Sequence, residues 1–178
     1  TVDLDKLGLR EEVLEDVRRG IGRAHGVFLV NGPGGSGKST TLYALLNERK
    51  RNGIRIMTVE DPVEYSLPGI QQVQVHEEIG LTFAKALRSF LRQDPNIVMV
   101  GEIRDEETAQ IACRAAMIGR MVLSTLHTSA PEDASPRLVD LGVPEFLVRD
   151  VLKGAMGQQL VPRPEGGRQA EARLVSGT

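Results

Sequence analysis

The stretch GPGGSGKS at residues 32–39 constrains the fold of this chain more than any other feature. It matches G-x-x-x-x-G-K-[ST] and lies between an apolar run at 27–30 and a helical pattern over 38–51 that places Leu42, Leu45 and Leu46 on one side. The motif needs that strand–turn–helix setting before it means a phosphate-binding loop. Glycines let backbone N–H groups turn inward around an anion, and the N-terminus of the following helix adds partial positive charge. Gly32, Gly34, Gly35, Ser36 and Gly37 form the expected cradle, with Lys38 reaching the β and γ phosphates, the Ser39 hydroxyl on Mg²⁺ and Thr40 following toward the α phosphate. Such a loop alone does not separate a motor from a switch or a small-molecule kinase.

The rest of the pattern repeats the βα unit that the motif implies. Apolar runs at 54–59, 97–100 and 121–125 read as buried strands alternating with helices, which predicts an α/β fold around a mainly parallel sheet. Polar–apolar alternation at 71–75 reads as an edge strand. Thr82 and Asp105 are expected helix caps, the first ahead of Phe83, Leu87, Phe90 and Leu91 and stopped by Asp94-Pro95, the second ahead of an Ala-rich helix closed by Gly119. A helix over 137–141 with Pro136 at its first position, another over 144–152 and a hairpin across Glu165-Gly166-Gly167 complete the reading.

With 178 residues, 40% of them apolar, the chain fits one domain. A net charge of −2 and six aromatic residues (four Phe, two Tyr) give no reason to expect a nucleic-acid partner. The single Cys113 lies among alanines as a buried hydrophobe and rules out a disulfide or cysteine–zinc framework within the chain. With no apolar run of membrane length and no leader pattern, the expected location is cytoplasmic. The chain opens on Thr1 in the middle of an amphipathic pattern, which suggests a piece of a longer protein.

Three strand ends supply polar groups: Glu60 and Asp61, then Glu102 after Gly101, then His127. In an open parallel sheet, sites form at the carboxyl ends of strands. Gly101 is expected to let the backbone approach closely, so that Glu102 reaches the Mg²⁺ shell or an attacking water; the alternative is that Glu102 pairs with Arg104 or caps the next helix. His127 either reads a γ phosphate or stabilises a loop.

The chain resembles the ATPase core of the type II secretion and type IV pilus assembly family, P-loop proteins with a RecA-like fold. GPGGSGKSTTLYALL is similar to the family's Walker A segment, TVEDPVEY to its aspartate box, GLTFAKALRSFLRQDPNIVMVGEIRDEETAQIA to its Walker B region and LSTLHTSAPED to its histidine box. The resemblance runs from about residue 25 to 161, and 162–178 are similar to the hairpin of cysteine-free members. It implies a RecA-like core plus a small C-terminal hairpin, and an ATPase using ATP and Mg²⁺. The whole protein would form a homo-oligomer, a hexameric ring, on the cytoplasmic face of the inner membrane against a platform protein, moving pilin-like subunits.

By that resemblance Ser39, Glu102 and Asp61 serve the metal, and Glu102, Glu60 and His127 are catalytic. Glu102 takes the place of the usual Walker B aspartate, His127 senses the γ phosphate, and either Glu60 or Glu102 is the general base. Arg88, Arg92 and Arg104 either support the acids or contact a neighbour's nucleotide. The chain departs from the family pattern at Gly34, at Ile118-Gly119-Arg120, at Gln159 and in lacking a tetra-cysteine element. Extension, retraction and a catalytically weak ring subunit all stay open. The resemblance makes residues 1–24 a linker from the family's N-terminal domain and 25–178 the RecA-like core, truncated at its C-terminal end. Without that N-terminal domain, the chain is expected to bind ATP, turn it over poorly and assemble weakly.

Overall fold

Apolar runs without alternation demand cover on both faces of a sheet, and the structure provides it. A computed structural model describes residues 3–32, 37–128, 130–162 and 168–176, with side chains as far as residue 157. The elements in order are α1 (Glu11–Ile21), β1 (Gly26–Asn31), α2 (Lys38–Arg49), β2 (Ile56–Glu60), β3 (Gln71–Gln74), α3 (Phe83–Leu91), β4 (Ile97–Val100), α4 (Glu106–Met117), β5 (Met121–Leu126), α5 (Ala134–Asp140), α6 (Glu145–Val151), β6 (Leu152–Pro162) and β7 (Arg168–Ser176). They build a seven-stranded sheet in the order β3-β2-β4-β5-β1-β6-β7. Strands β1 to β6 are parallel, and only β7 runs antiparallel, against β6.

Side chains alternate across each strand, so the two faces draw on different residues of the same run. Val27, Leu29, Val59, Val98, Val100 and Val122 face the cluster filled by Leu87 of α3, Ala112 and Cys113 of α4 and Val148 of α6. Phe28, Val30, Ile56, Ile97, Met99 and Leu123 face the cluster filled by Val17 of α1 and Leu42, Leu45 and Leu46 of α2. Within residues 1–24, Leu4, Leu7, Val13, Val17 and Ile21 are buried in that second cluster. Cys113 is the buried hydrophobe that its neighbours predict, and burial pushes its thiol up to about 12.

The helix caps are where the residue types place them. Thr82 Oγ1 accepts from Lys85 N at 3.2 Å, and Asp105 Oδ1 accepts from Thr108 N at 2.7 Å. Asp105→Ala is expected to cost about 1 kcal/mol, read as a lower urea midpoint at unchanged slope. The edge position of β3 agrees with its alternation.

Some boundaries differ from the sequence reading. Helix α5 starts at Ala134, directly after a 3-10 turn at Pro131–Asp133, so Pro136 stands inside the first turn rather than at its first position. The first N–H groups of a helix have no partner within it, so a proline there removes no bond. Helix α2 stops at Arg49, because Lys50 is extended and a turn with Gly53 at φ 85° follows. The C-terminal strands do pair as an antiparallel hairpin, with its turn at 163–167 outside the described residues. Its first strand β6 also pairs in parallel with β1, so the hairpin extends the central sheet. Among the described residues, no helix is long and apolar enough to cross a membrane.

Candidate active site

Parallel register sets the site. Strands β2, β4, β5 and β1 are successive neighbours, so the residues that follow their carboxyl ends share one rim. Glu60 closes β2, Gly101 and Glu102 follow β4, His127 follows β5, and Asn31 and Gly32 lead from β1 into the phosphate loop. Pro33, Gly34, Gly35 and Ser36 of that loop lie outside the described residues. Gly37, at φ 83° and ψ 22°, is the N-cap of α2 in a left-handed conformation that other residues adopt only with strain. The N-cap glycine offers no side chain to cap this helix start, and a helix N-terminus with its unpaired first N–H groups is where an anion binds favourably.

A cavity of about 180 Å³ opens at this rim, lined by Lys38, Ser39, Glu60, Asp61, Glu102 and His127 among others. The Lys38 ammonium donates to Gly32 O at 2.7 Å and lies 3.2 Å from His127 Nδ1. An ammonium has no acceptor, so Nδ1 accepts and the ring proton sits on Nε2, which faces Glu102 Oε2 at 3.1 Å. Glu102 Oε1 accepts from Arg104 Nη1 at 3.1 Å, and Arg104 Nη2 donates to Glu77 Oε1 at 2.7 Å. The result is a continuous series from the phosphate loop through the histidine to the acid after β4. Burial lowers the pKa of Lys38, and the nearby Glu102 charge opposes that shift.

Glu60 is held differently. Only 3% exposed, it accepts from the Tyr43 hydroxyl, from Thr58 Oγ1 at 2.7 Å and from Gln72 Nε2 at 3.1 Å. Those donors offset the cost of burying a carboxylate. Asp61 and Glu64 are exposed at the cavity mouth.

Lys38, Ser39, Glu60, Asp61, Glu102 and His127 therefore share one cavity, while Thr40 is exposed on the first turn of α2 and does not line it. Glu102 both faces the cavity and pairs with Arg104, and the cap of α4 is Asp105 instead. At Gly101 the backbone does run close to β2: its N–H donates to Val59 O at 2.8 Å, and a Cβ there would meet Glu60 Cα, a Phe83 ring carbon and Val59 O at 3.4 Å, the short end of van der Waals contact. Arg88 pairs with Glu107, and Arg92 is exposed. The donors that hold Glu60 escape a sequence reading. Thr58 alone left a signal, since residues two apart on a strand share a face; Tyr43 reads as core among leucines, and Gln72 as a solvent-facing edge residue.

Among the described residues, no three His, Cys, Asp or Glu side chains form a metal cage. Mg²⁺ binds through one or two carboxylates together with phosphate oxygens and water. The Ser39 hydroxyl and the Asp61 and Glu102 carboxylates on one cavity fit a cation that arrives with a nucleotide.

The chain is similar to several known proteins. The chain is 53% identical over 160 residues to the type II secretion system protein HxcR of Pseudomonas aeruginosa, covering 90% of this chain and 34% of that protein. It is 51% identical over 160 residues to the type II secretion system ATPase E of Vibrio cholerae, covering 90% and 32%. The crystal structure of the pilus retraction motor PilT with bound ADP superposes with a TM-score of 0.88 at 36% identity, covering 99% of this chain and 53% of that one. The ATPase DotB of Legionella pneumophila gives 0.84 at 28% identity, covering 99% and 51%. The chain thus spans about a third of these curated relatives and about half of these solved chains. The likeness shows a RecA-like P-loop fold. A family model described as Type II/IV secretion system protein matches residues 1–172, and the chain belongs to that family.

Proposed function

We propose that this chain is the ATP-hydrolysing core of a secretion-system motor. The observation that carries the reading is the hydrogen-bonded series Lys38–His127–Glu102 in one cavity with Glu60. Lys38 and the N-terminal N–H groups of α2 take the phosphates, the lysine exchanging His127 and the Gly32 carbonyl for phosphate oxygens. His127, released from Lys38, turns toward the terminal phosphoryl group and remains tied to Glu102. Glu60, immobilised by three donors, orients the attacking water. Ser39, Asp61 and Glu102 would hold Mg²⁺, which when bound would neutralise charge on the phosphate oxygens. Phosphoryl transfer depends mostly on positioning and charge stabilisation, which such a rim supplies.

In the whole protein this core works as a subunit of a ring, a hexamer, at the cytoplasmic face of the inner membrane, against a platform protein. It drives assembly of a pilus-like fibre in secretion. Identities of 53% and 51% to type II secretion proteins, against 36% to the retraction motor, favour that direction of work over retraction.

Incubation with ATP labelled on the γ phosphate tests the reading. Label is expected in inorganic phosphate. Label appearing on a small-molecule acceptor would show a kinase, and label staying in ATP would show a nucleotide-binding subunit without hydrolysis.

A further inference from the structure

Tyr43 lies one helical turn beyond Ser39 on α2 and is 1% exposed, where a purely apolar side chain would serve the core equally well. A buried hydroxyl is costly unless it is bonded. This one donates to Glu60 Oε1 and accepts from Glu64 N at 3.1 Å. Burial, and next the bond to Glu60, push the phenol up to about 12, so it stays a donor through the neutral range. The ring meets Tyr65 edge-on, with centroids 4.8 Å apart.

Strand β3 holds the same loop from its other side. Gln72 Nε2 donates to Glu60 Oε2 and to Tyr65 O, both at 3.1 Å, and its Oε1 accepts from Leu67 N at 2.7 Å. Gln74 Oε1 accepts from Val63 N at 3.1 Å and makes no bond to Glu60. Side chains thus supply the bonds for main-chain groups between residues 63 and 67. Tyr43, unlike either glutamine, stands on the helix that begins with Lys38.

We infer that Tyr43 is a positioning residue for hydrolysis, its hydroxyl tying the Glu60 carboxylate and the acidic loop at 61–67 to the helix that carries Lys38 and Ser39. The acid and the phosphate site thereby keep one spacing. The catalytic consequence rests on the ATPase reading above; the tie itself does not.

Tyr43→Phe keeps the ring and removes the bond. Phosphate release is expected to show kcat lowered about tenfold, as for a lost hydrogen bond to a charged group, with KM for ATP within about twofold. Amide exchange over 61–67, followed without nucleotide, is expected to quicken about tenfold while α2 stays protected. Gln74→Ala, which removes the bond to Val63 N and leaves the three donors to Glu60 in place, is expected to keep kcat within about twofold.

A wild-type kcat in Tyr43→Phe, unchanged exchange over 61–67, or an equal kcat loss in Gln74→Ala would each overturn the inference. If the wild-type chain releases no phosphate, the ATPase reading falls and the catalytic role with it. Exchange still judges the tie in that case.

Discussion

Lys38→Ala is expected to lower ATP turnover by about 10²- to 10³-fold or more and to weaken nucleotide binding, because it removes the one ammonium in the cavity. The side chain is half-buried, so its charge acts in a medium that screens it less than water does. Its ammonium already donates to two acceptors at the rim, Gly32 O and His127 Nδ1, where an anion would take their place. Alanine also leaves His127 without the donor that fixes its tautomer, so the histidine and Glu102 lose their common orientation. Phosphate release together with equilibrium binding of a fluorescent ATP analogue reads both effects. Turnover within about threefold of wild type would remove Lys38 from the phosphate site and sink the proposed mechanism.

Glu102→Gln is expected to lower kcat by about 10²-fold, a loss of about 2.7 kcal/mol of transition-state stabilisation, with nucleotide binding kept within about threefold. The change is isosteric, so cavity shape is preserved while charge and one acceptor are lost. Glu102 accepts from His127 Nε2 and from Arg104 Nη1. A glutamine has a single acceptor oxygen; pointed at His127, it turns its NH₂ toward the Arg104 guanidinium, two donors facing each other. Arg104 would then keep Glu77 as its carboxylate partner, beside the Phe83 ring. Kinetics and analogue binding on the same preparation separate the outcomes. A raised KM with unchanged kcat would mean that Glu102 serves binding only.

Much of this site was legible from residue types. The phosphate loop announces itself because backbone N–H groups can cradle phosphates only through a glycine-rich turn leading into a helix. Thr82 and Asp105 declare their helix starts because a short side-chain oxygen satisfies an orphan N–H. Glu60, Glu102 and His127 could be assigned to strand ends, and strand ends of a parallel sheet share a rim. Pro136 misled because an N-terminal proline fits several positions of a first turn, all without a bond to lose.

The linear chain by itself determined the βα alternation, the phosphate loop and the set of side chains offered at the strand ends, since these follow from local spacing and backbone chemistry. Only the tertiary structure decided that β4 inserts between β2 and β5, bringing Glu102 within reach of His127 and Lys38. It also decided that Glu60 is buried under Tyr43, Thr58 and Gln72, and that β6 joins the central sheet. Strand order and hydrogen-bond partners are long-range choices settled by which packing covers both faces of the sheet. No local pattern encodes that outcome, because its energy belongs to pairs of residues far apart in the sequence.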